Sequence, residues 1–535
     1  MTDNIKKKPI IWTISGSDCS GGAGIAADIK TGHGLGVEVC HLMTANTVQN
    51  SHQLLSVNAI SVELLQQQAG ILMDDKPPSV IKIGLVANVE QVQWLAQFIE
   101  HTKKLIPHLI SVYDPVGQAS VGGSLSAITV EQLTPLLQKI DVLTPNFMEA
   151  KNLANVDGLT DEKCAELLAY KIHQDFAINS IIVKGGHSDD SYSTDYCLHQ
   201  LNQLQGKQDN QDKTQAVISY QLSAQRIASH YSHGGGCSFA SALASFLAQG
   251  YLIRDAFTLA KAFISQGLSM SKSISELHGH QYYGAFEQLD WPRNAECFPK
   301  VIDKLSQQYQ NLPAFNSLDL AEKKLGLYPV IDSLYWLKRL LPLGIEIIQL
   351  RVKNLAESEL EQVIITAVAL AKEYNTRLFI NDYWQFAIKH GAYGVHIGQE
   401  DLQDADLWAI QQSGIRLGIS THGCYEFLSA QRLQPSYLAI GAIFPTKTKD
   451  MTGQIQGIEN LKQVLSLRPE HNNKIPVVAI GGINLERAPE VIATGVESIA
   501  VVTAITEAES SHGITPEQAA ACFQDLCIKP VSLCI

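Results

Sequence analysis

At 535 residues, with 40 Lys and Arg against 53 Asp and Glu and a formal net charge of −13, the chain is too long for one hydrophobic core and too acidic for a broad basic face. A general nucleic-acid or anionic-membrane footprint is excluded, so any phosphate chemistry must rest on local cations. Ten cysteines, at 19, 40, 164, 197, 237, 297, 424, 522, 527 and 534, include no CxxC pair and no zinc spacing, the pattern of reduced thiols in a cytoplasmic protein.

The opening MTDNIKKKPIIWTIS has a basic start but no signal-type apolar run, and no stretch further on is long and apolar enough for a membrane span. A soluble protein is expected. The first half alternates strand and helix patterns: IIWTIS, a helix through GIAADIKTGHGLG, VEVCHLMTANT, a helix from Leu64 to Met73, VIKIGLV, another helix, then LISVYDPV. A helix from Val130 to Ile140, DVLTPN, two helices to His173 and the strand SIIVKGG follow. This predicts a doubly wound α/β domain over residues 1–277. The polar tract 200–215 reads as a surface loop or hairpin excursion. After it, GGGCSFASALASFLAQG is a glycine-rich turn running into a small-residue helix, and a last helix reaches Met270.

Periodicity weakens over residues 278–324, which are expected as the junction between domains, with enough aromatic residues (Tyr282, Tyr283, Phe286, Trp291) to pack on one of them. From 325 to 535 the pattern becomes regular: LYPVID, IEIIQLR, RLFIND, GVHIG, RLGIS, YLAIGAIF, PVVAIGGI and SIAVVTAI, each followed by a helix. Eight strands and eight helices in this length predict a (β/α)8 barrel, whose chemistry sits at the C-terminal strand ends. Those ends carry Asp332, Gln349 with Arg351 and Lys353, Asn381 with Asp382, the 399–401 acidic cluster, Ser420, Thr446 to Lys449, Gly481-Gly482 and Thr503.

The segment LFINDYWQFAIKHGAYGVHIGQEDL, residues 378–402, shows why this edge matters. A strand, helix and strand of this length close a right-handed parallel crossover, so the acids after both strands emerge at the same rim. Either cluster alone serves equally well as a helix cap. Two at one rim are hard oxygen ligands of the kind Mg2+ takes when it also holds phosphates. Arg351, Lys353 and Lys449 face them, and Gly481-Gly482 supply N–H donors, so a diphosphate is the expected ligand.

QLRVKN, FINDYWQFAIKHGAYGVHIGQEDL, GISTH, IGAIFPTKTK and VVAIGGI, in this order across 327–505, resemble the thiamine-phosphate synthase family. The resemblance implies condensation of hydroxymethylpyrimidine diphosphate with a thiazole phosphate, releasing pyrophosphate. It implies that Gln349 touches the pyrimidine, that Arg351, Lys353, Asn381, Ser420 and Lys449 hold the diphosphate, and that Asp382 and Asp401 hold Mg2+. Thr446 and Thr448, with the backbone near Gly482 and Thr503, would then take the thiazole phosphate.

In the first half, SGSDCSGGAGIAADIKT places glycines between a strand and a helix N-terminus, where backbone amides can approach a ligand; its spacing is not that of a P-loop. SHGGGCSFASA puts Cys237 at a helix start, where the dipole is expected to lower a thiol pKa and successive amides form an anion hole; a buried structural cysteine is the alternative. With TPNFMEAKNL and VKGGH, these turns resemble the ribokinase-like superfamily, and within it hydroxymethylpyrimidine and phosphomethylpyrimidine kinases, over roughly residues 9–275. That resemblance implies ATP as phosphoryl donor, Mg2+, Cys237 at the base position and Gly234, Gly235 and Gly236 as the anion hole. It implies Asp28 and Gln49 near the pyrimidine, Asn146 and Glu149 for Mg2+ and phosphate, and Lys184 on the ATP side.

The chain departs from this family pattern at Gly235, where the family carries Thr, at the turn 117–123 after DPV, and in the length of the 200–215 tract. A kinase that makes the diphosphate and a synthase that consumes it together suggest a bifunctional enzyme of thiamine biosynthesis acting on small molecules. Two alternatives stay open: a degenerate first half that senses pyrimidine, or one that phosphorylates pyridoxal. Both families commonly form homo-oligomers, so that assembly is expected.

Overall fold

The computed structural model describes residues 7–50, 53–117, 125, 127–159, 164–186, 191–201, 217–229, 233–278, 286–318, 325–446, 455–468 and 475–528. It divides into two compact units, Met1–Asp303 and Lys304–Ile535.

The first unit is built on a ten-stranded sheet in the order β10-β9-β8-β7-β6-β5-β4-β1-β2-β3. The strands are β1 (Ile10–Ser17), β2 (Glu38–Gln49), β3 (Leu54–Ala59), β4 (Val80–Ile83), β5 (Ile110–Tyr113), β6 (Val142–Leu143), β7 (Ser180–Val183), β8 (Tyr192–Gln200), β9 (Val217–Gln225) and β10 (Lys300–Ile302). β2, β1, β4, β5, β6 and β7 are parallel neighbours, and their continuous apolar runs, such as the buried VIKI of β4, reflect helices covering both faces. β3, β8, β9 and β10 are antiparallel additions at the two edges. The chain leaves β1 toward β2 and returns to its other side at β4. That reversal opens a crevice at the C-terminal strand ends, where ligands of open α/β sheets bind.

Of the expected junction 278–324, the described residues 286–303 belong to the first unit: β10 pairs with β9, and Phe286 and Cys297 are buried. The second unit begins with the helix Lys304–Gln308. The 200–215 tract falls between the paired strands β8 and β9, and lies, beyond its first two residues, outside the described residues.

The second unit is a closed, all-parallel eight-stranded barrel: β11 (Gly326–Ile331), β12 (Ile347–Leu350), β13 (Arg377–Asn381), β14 (Gly394–Ile397), β15 (Arg416–Thr421), β16 (Tyr437–Ile440), β17 (Val477–Ile480) and β18 (Ser498–Val501). Every strand expected from the sequence is present. The interior is filled by Tyr328, Val330, Ile347, Phe379, Tyr437, Val478 and Ala500. Gly418 on β15 makes room for the ring of Tyr437, since a Cβ there would lie 2.2 Å from its Cζ. Among the described residues, no helix is long and apolar enough to cross a membrane.

Candidate active sites

In the first unit the C-terminal strand ends line a cavity of about 830 Å³ that takes in Gln49, Asp114, Asn146, Glu149, Lys184, Lys261, His233 to Cys237 and the end of β1. Its floor is made where the two glycine-rich turns meet. Gly234 has φ +84°, and a Cβ on it would lie 1.8 Å from the carbonyl oxygen of Gly22, so only glycine fits. Asp18 ties the turns together by accepting from His233 Nε2 at 2.9 Å, from Ser20 N at 2.9 Å and from Ala23 N at 2.9 Å. Burial would raise its carboxyl, but the His233 and Ser20 hydrogen bonds outweigh that and hold it at about 2. The backbone amides that could face a phosphate are therefore set by a contact between residues 215 positions apart.

Cys237 lies near the start of the helix Gly235–Ala248 and lines the cavity, as expected. The dipole argument is overturned for its thiol. Burial pushes it up to about 11; Lys82 pulls it down, while Asp28 and Asp114 push it further up. Asp28 is a second correction. It is fully buried and does not line the cavity: its carboxylate accepts from Lys82 Nζ at 2.8 and 2.9 Å, from Ser241 Oγ at 2.6 Å and from Thr13 Oγ1. From its place in the helix Gly24–Gly34 the side chain points into the interior, where it neutralises a lysine lodged in an apolar strand.

Lys184, just past β7, donates to Asp114 at 2.6 Å, and Asp114 also accepts from Thr144 Oγ1 at 3.1 Å. Asn146 and Glu149 form a reciprocal cap on the helix Phe147–Ala154: the Asn146 side chain accepts from Glu149 N at 2.9 Å and Glu149 accepts from Asn146 N at 2.8 Å. Burial pushes Glu149 up to about 7, Lys184 opposing and Asp114 reinforcing the rise. Asp114, Asn146 and Glu149 all line the cavity, and their oxygens are hard donors that fit Mg2+ once Glu149 gives up its proton. Lys261 pairs with Asp195 at 2.8 Å on another wall of the cavity. A Cβ on Gly235 meets nothing within 4 Å, so the residue that departs from the kinase pattern is not required by packing. Of the 117–123 turn, only Gly117 is among the described residues.

In the barrel, Asn381 ends β13 and its Nδ2 donates to Asp382, which adopts φ +65° and donates its own N–H to His396 O at 2.9 Å. Burial first, and then the neighbouring charge of Asp401, push Asp382 up to about 6, while Arg351, the Gly398 N–H and Lys353 pull it down. Asp382, Asp401, Arg351 and Lys353 thus lie near enough to act on one another electrostatically, and the two carboxylates are hard oxygen donors that fit Mg2+. No cluster of three metal-ligating side chains occurs among the described residues. Ser420 Oγ is 2.8 Å from His396 Nε2, and its carbonyl accepts from Gln399 Nε2 at 2.6 Å. Gln349 is buried at the end of β12, with Nε2 donating to Tyr328 OH at 3.4 Å. Gly481 and Gly482, at φ +103° and +63°, pack against Ala442 and Pro445. Thr503 opens the helix Thr503–Thr506, and Thr446 is the last described residue of its loop; Thr448 and Lys449 lie outside the described residues.

Sequence reasoning missed Asp18, His233, Lys82, Asp114 and the Lys261–Asp195 pair. Asp114 stands directly after β5, and the strand-end rule that found Asp382 would have found it; the others carry no local signal.

Residues 327–505 match the family model described as thiamine monophosphate synthase, and residues 18–282 the one described as phosphomethylpyrimidine kinase. The thiamine-phosphate synthase of Yersinia pseudotuberculosis is 56% identical over 205 residues, 38% of this chain and 92% of that protein. That of Photorhabdus laumondii is 58% identical over 196 residues, 37% of this chain and 89% of its own length. The first unit is similar to the structure of a phosphomethylpyrimidine kinase from Clostridium difficile 630, with 27% identity, a TM-score of 0.38 and coverage of 48% of this chain and 99% of that one.

Proposed function

We propose the following division of labour for a chain that belongs to the thiamine-phosphate synthase family and, with a phosphomethylpyrimidine kinase unit ahead of its barrel, is a bifunctional transferase of thiamine biosynthesis. The first unit phosphorylates hydroxymethylpyrimidine and then its monophosphate with ATP, and the barrel condenses the resulting diphosphate with thiazole phosphate. The observation that carries this reading is the charge arrangement at the barrel mouth, where Asp382 and Asp401 stand among Arg351 and Lys353.

In the kinase cavity Gln49 is the group we assign to the pyrimidine, and Asp28 acts from beneath by holding Lys82. Cys237 occupies the proton-acceptor position for the hydroxymethyl group, and the amides of Gly234 to Gly236 face the transferring phosphoryl. Lys184 supplies the fixed cation, and Asn146 and Glu149, with Asp114 beside them, would hold Mg2+ and phosphate, the ion supplying charge neutralisation. Phosphoryl transfer needs chiefly such positioning and charge stabilisation, so few side chains suffice.

In the barrel the C–O bond to the diphosphate breaks, the pyrimidine carries the positive charge, and the thiazole nitrogen forms the new C–N bond. Arg351, Lys353, Asn381, Ser420 and Lys449 are assigned to the departing pyrophosphate, Gln349 to the pyrimidine, and Thr446, Thr448, Gly482 and Thr503 to the thiazole phosphate. Asp382 and Asp401 would hold Mg2+, which supplies charge neutralisation at the leaving group. Fixed charges aimed at developing charge lower the barrier without reorganising.

Asp401→Asn should lower condensation of ready-made diphosphate about 10²-fold and raise the Mg2+ concentration needed for half-maximal rate, with pyrimidine phosphorylation unchanged. Steady-state kinetics across a Mg2+ titration checks this; an unchanged Mg2+ requirement would remove Asp401 from the metal site. We place the protein in the cytoplasm and its working assembly as a homo-oligomer.

A further inference from the structure

Inside the barrel a chain of buried polar side chains runs from one proposed substrate group to another. Gln349 Nε2 donates to Tyr328 OH at 3.4 Å, Tyr328 OH and Tyr437 OH are 2.7 Å apart, Tyr437 OH is 2.7 Å from His396 Nδ1, and His396 Nε2 is 2.8 Å from Ser420 Oγ. Gln349, Tyr328, Tyr437 and His396 are 4%, 1%, 0% and 6% exposed, so water does not compete for these hydrogens. Four polar groups in an apolar barrel core are costly unless each is satisfied, and together they satisfy one another. Packing alone does not call for them, since Phe would fill the volume of either tyrosine.

The direction of the chain follows from hydrogen counting. Each tyrosine has one O–H to give, and a neutral imidazole has one N–H and one lone pair. With the Gln349 amide donating, and with a buried Tyr328 hydrogen too costly to leave without an acceptor, Tyr328 gives its hydrogen to Tyr437, Tyr437 gives its own to His396 Nδ1, and the remaining imidazole proton sits on Nε2 and is given to Ser420 Oγ. The Ser420 hydroxyl hydrogen is then left over, free to point at an anion. If the Gln349 amide turned its oxygen to Tyr328, every donor would reverse and Ser420 would spend its hydrogen on His396. With its Nε2 hydrogens turned to Tyr328 and to the neighbouring Tyr437, Gln349 keeps Oε1 for a donor such as the pyrimidine amino group.

We propose that this chain is a directional relay coupling recognition of the pyrimidine amino group at Gln349 to donation of the Ser420 hydroxyl hydrogen to the diphosphate, with Tyr437 and His396 as its positioning residues. The proposal rests on the assignment of the barrel as a thiamine-phosphate synthase. It explains why a serine at a strand end is braced by a histidine, and why that histidine is braced by a tyrosine whose ring needs Gly418 to fit.

Two measurements on the full chain test it. The first needs no turnover: nitrogen-15 shifts of the His396 ring, assigned by loss of the signal in His396→Gln, should report the Nε2–H tautomer, and an Nδ1–H tautomer overturns the relay. The second is a double-mutant cycle on condensation of ready-made pyrimidine diphosphate. Tyr437→Phe should lower kcat/KM about tenfold in the wild-type background and less than about twofold in Ser420→Ala, because the lost interaction acts through that hydroxyl. Equal losses in both backgrounds would mean a merely structural tyrosine and overturn the relay. Tyr328→Phe, which removes a hydroxyl one step further away, runs the same cycle should Tyr437→Phe fail to fold. A wild-type chain that makes no thiamine phosphate from supplied diphosphate would overturn the functional assignment itself, whereas additive losses in an active enzyme overturn only the relay.

Discussion

Cys237→Ala should lower phosphorylation of hydroxymethylpyrimidine about 10²- to 10⁴-fold, the range in which a positioned proton acceptor contributes, while condensation of ready-made diphosphate stays at the wild-type rate. The thiol lines the cavity beside the Gly234 to Gly236 turn, and its removal leaves the fold of that turn to Gly234 and to the Asp18–His233 contact. The pH dependence provides an independent check. Burial pushes the thiol up to about 11, so at neutral pH it carries its proton and the thiolate fraction grows about tenfold per pH unit. A proton acceptor works in its deprotonated form, so kcat/KM for the kinase step should climb about tenfold per pH unit from pH 7 to pH 9 without a plateau, and in Cys237→Ala only the roughly twofold rise from Glu149, at about 7, should remain. A rate flat over this range in the wild type would remove Cys237 from the role.

Lys82→Met should destabilise the kinase unit by about 3–5 kcal/mol, because it leaves the Asp28 carboxylate buried without its cation. Both side chains are 0% exposed, and the ammonium contacts both carboxylate oxygens. The two hydroxyls on Asp28, from Thr13 and Ser241, donate hydrogen bonds but carry no charge to offset the loss. Adding Asp28→Leu to Lys82→Met should recover most of the stability, since a well-packed apolar pair commonly replaces a buried ion pair at little cost. The check is the urea concentration at which phosphorylation activity is lost. A midpoint unmoved by Lys82→Met would show that the pair does not support the fold.

What the sequence made legible followed from periodicity. Each barrel strand is a short apolar run ended by a polar residue, so Asp382, Asp401, Gln349 and Ser420 announced themselves by falling at strand ends. Lys82 was hidden by the same logic, since a charge in the middle of VIKI reads as part of an apolar strand until its partner on a helix is known. Asp18 and His233 are each ordinary turn residues, and only folding puts them 2.9 Å apart. The barrel relay was invisible for a third reason: Tyr328 and Tyr437 sit at inward strand positions, where an aromatic residue reads as core. Asp28 was carried over from the kinase resemblance, which does not say which face of its helix meets the cavity, and its side chain lies buried against Lys82. For Cys237 the dipole was the wrong effect to weigh, as burial outweighs it.

The central claim is that one chain both makes the pyrimidine diphosphate and uses it. The most direct measurement is thiamine phosphate formation in two parallel reactions with the wild-type protein and thiazole phosphate, one given hydroxymethylpyrimidine with MgATP and the other ready-made pyrimidine diphosphate. Product in both is the predicted result. Product only from the supplied diphosphate would contradict the account, and would leave the first unit as a pyrimidine sensor or a kinase for a different alcohol.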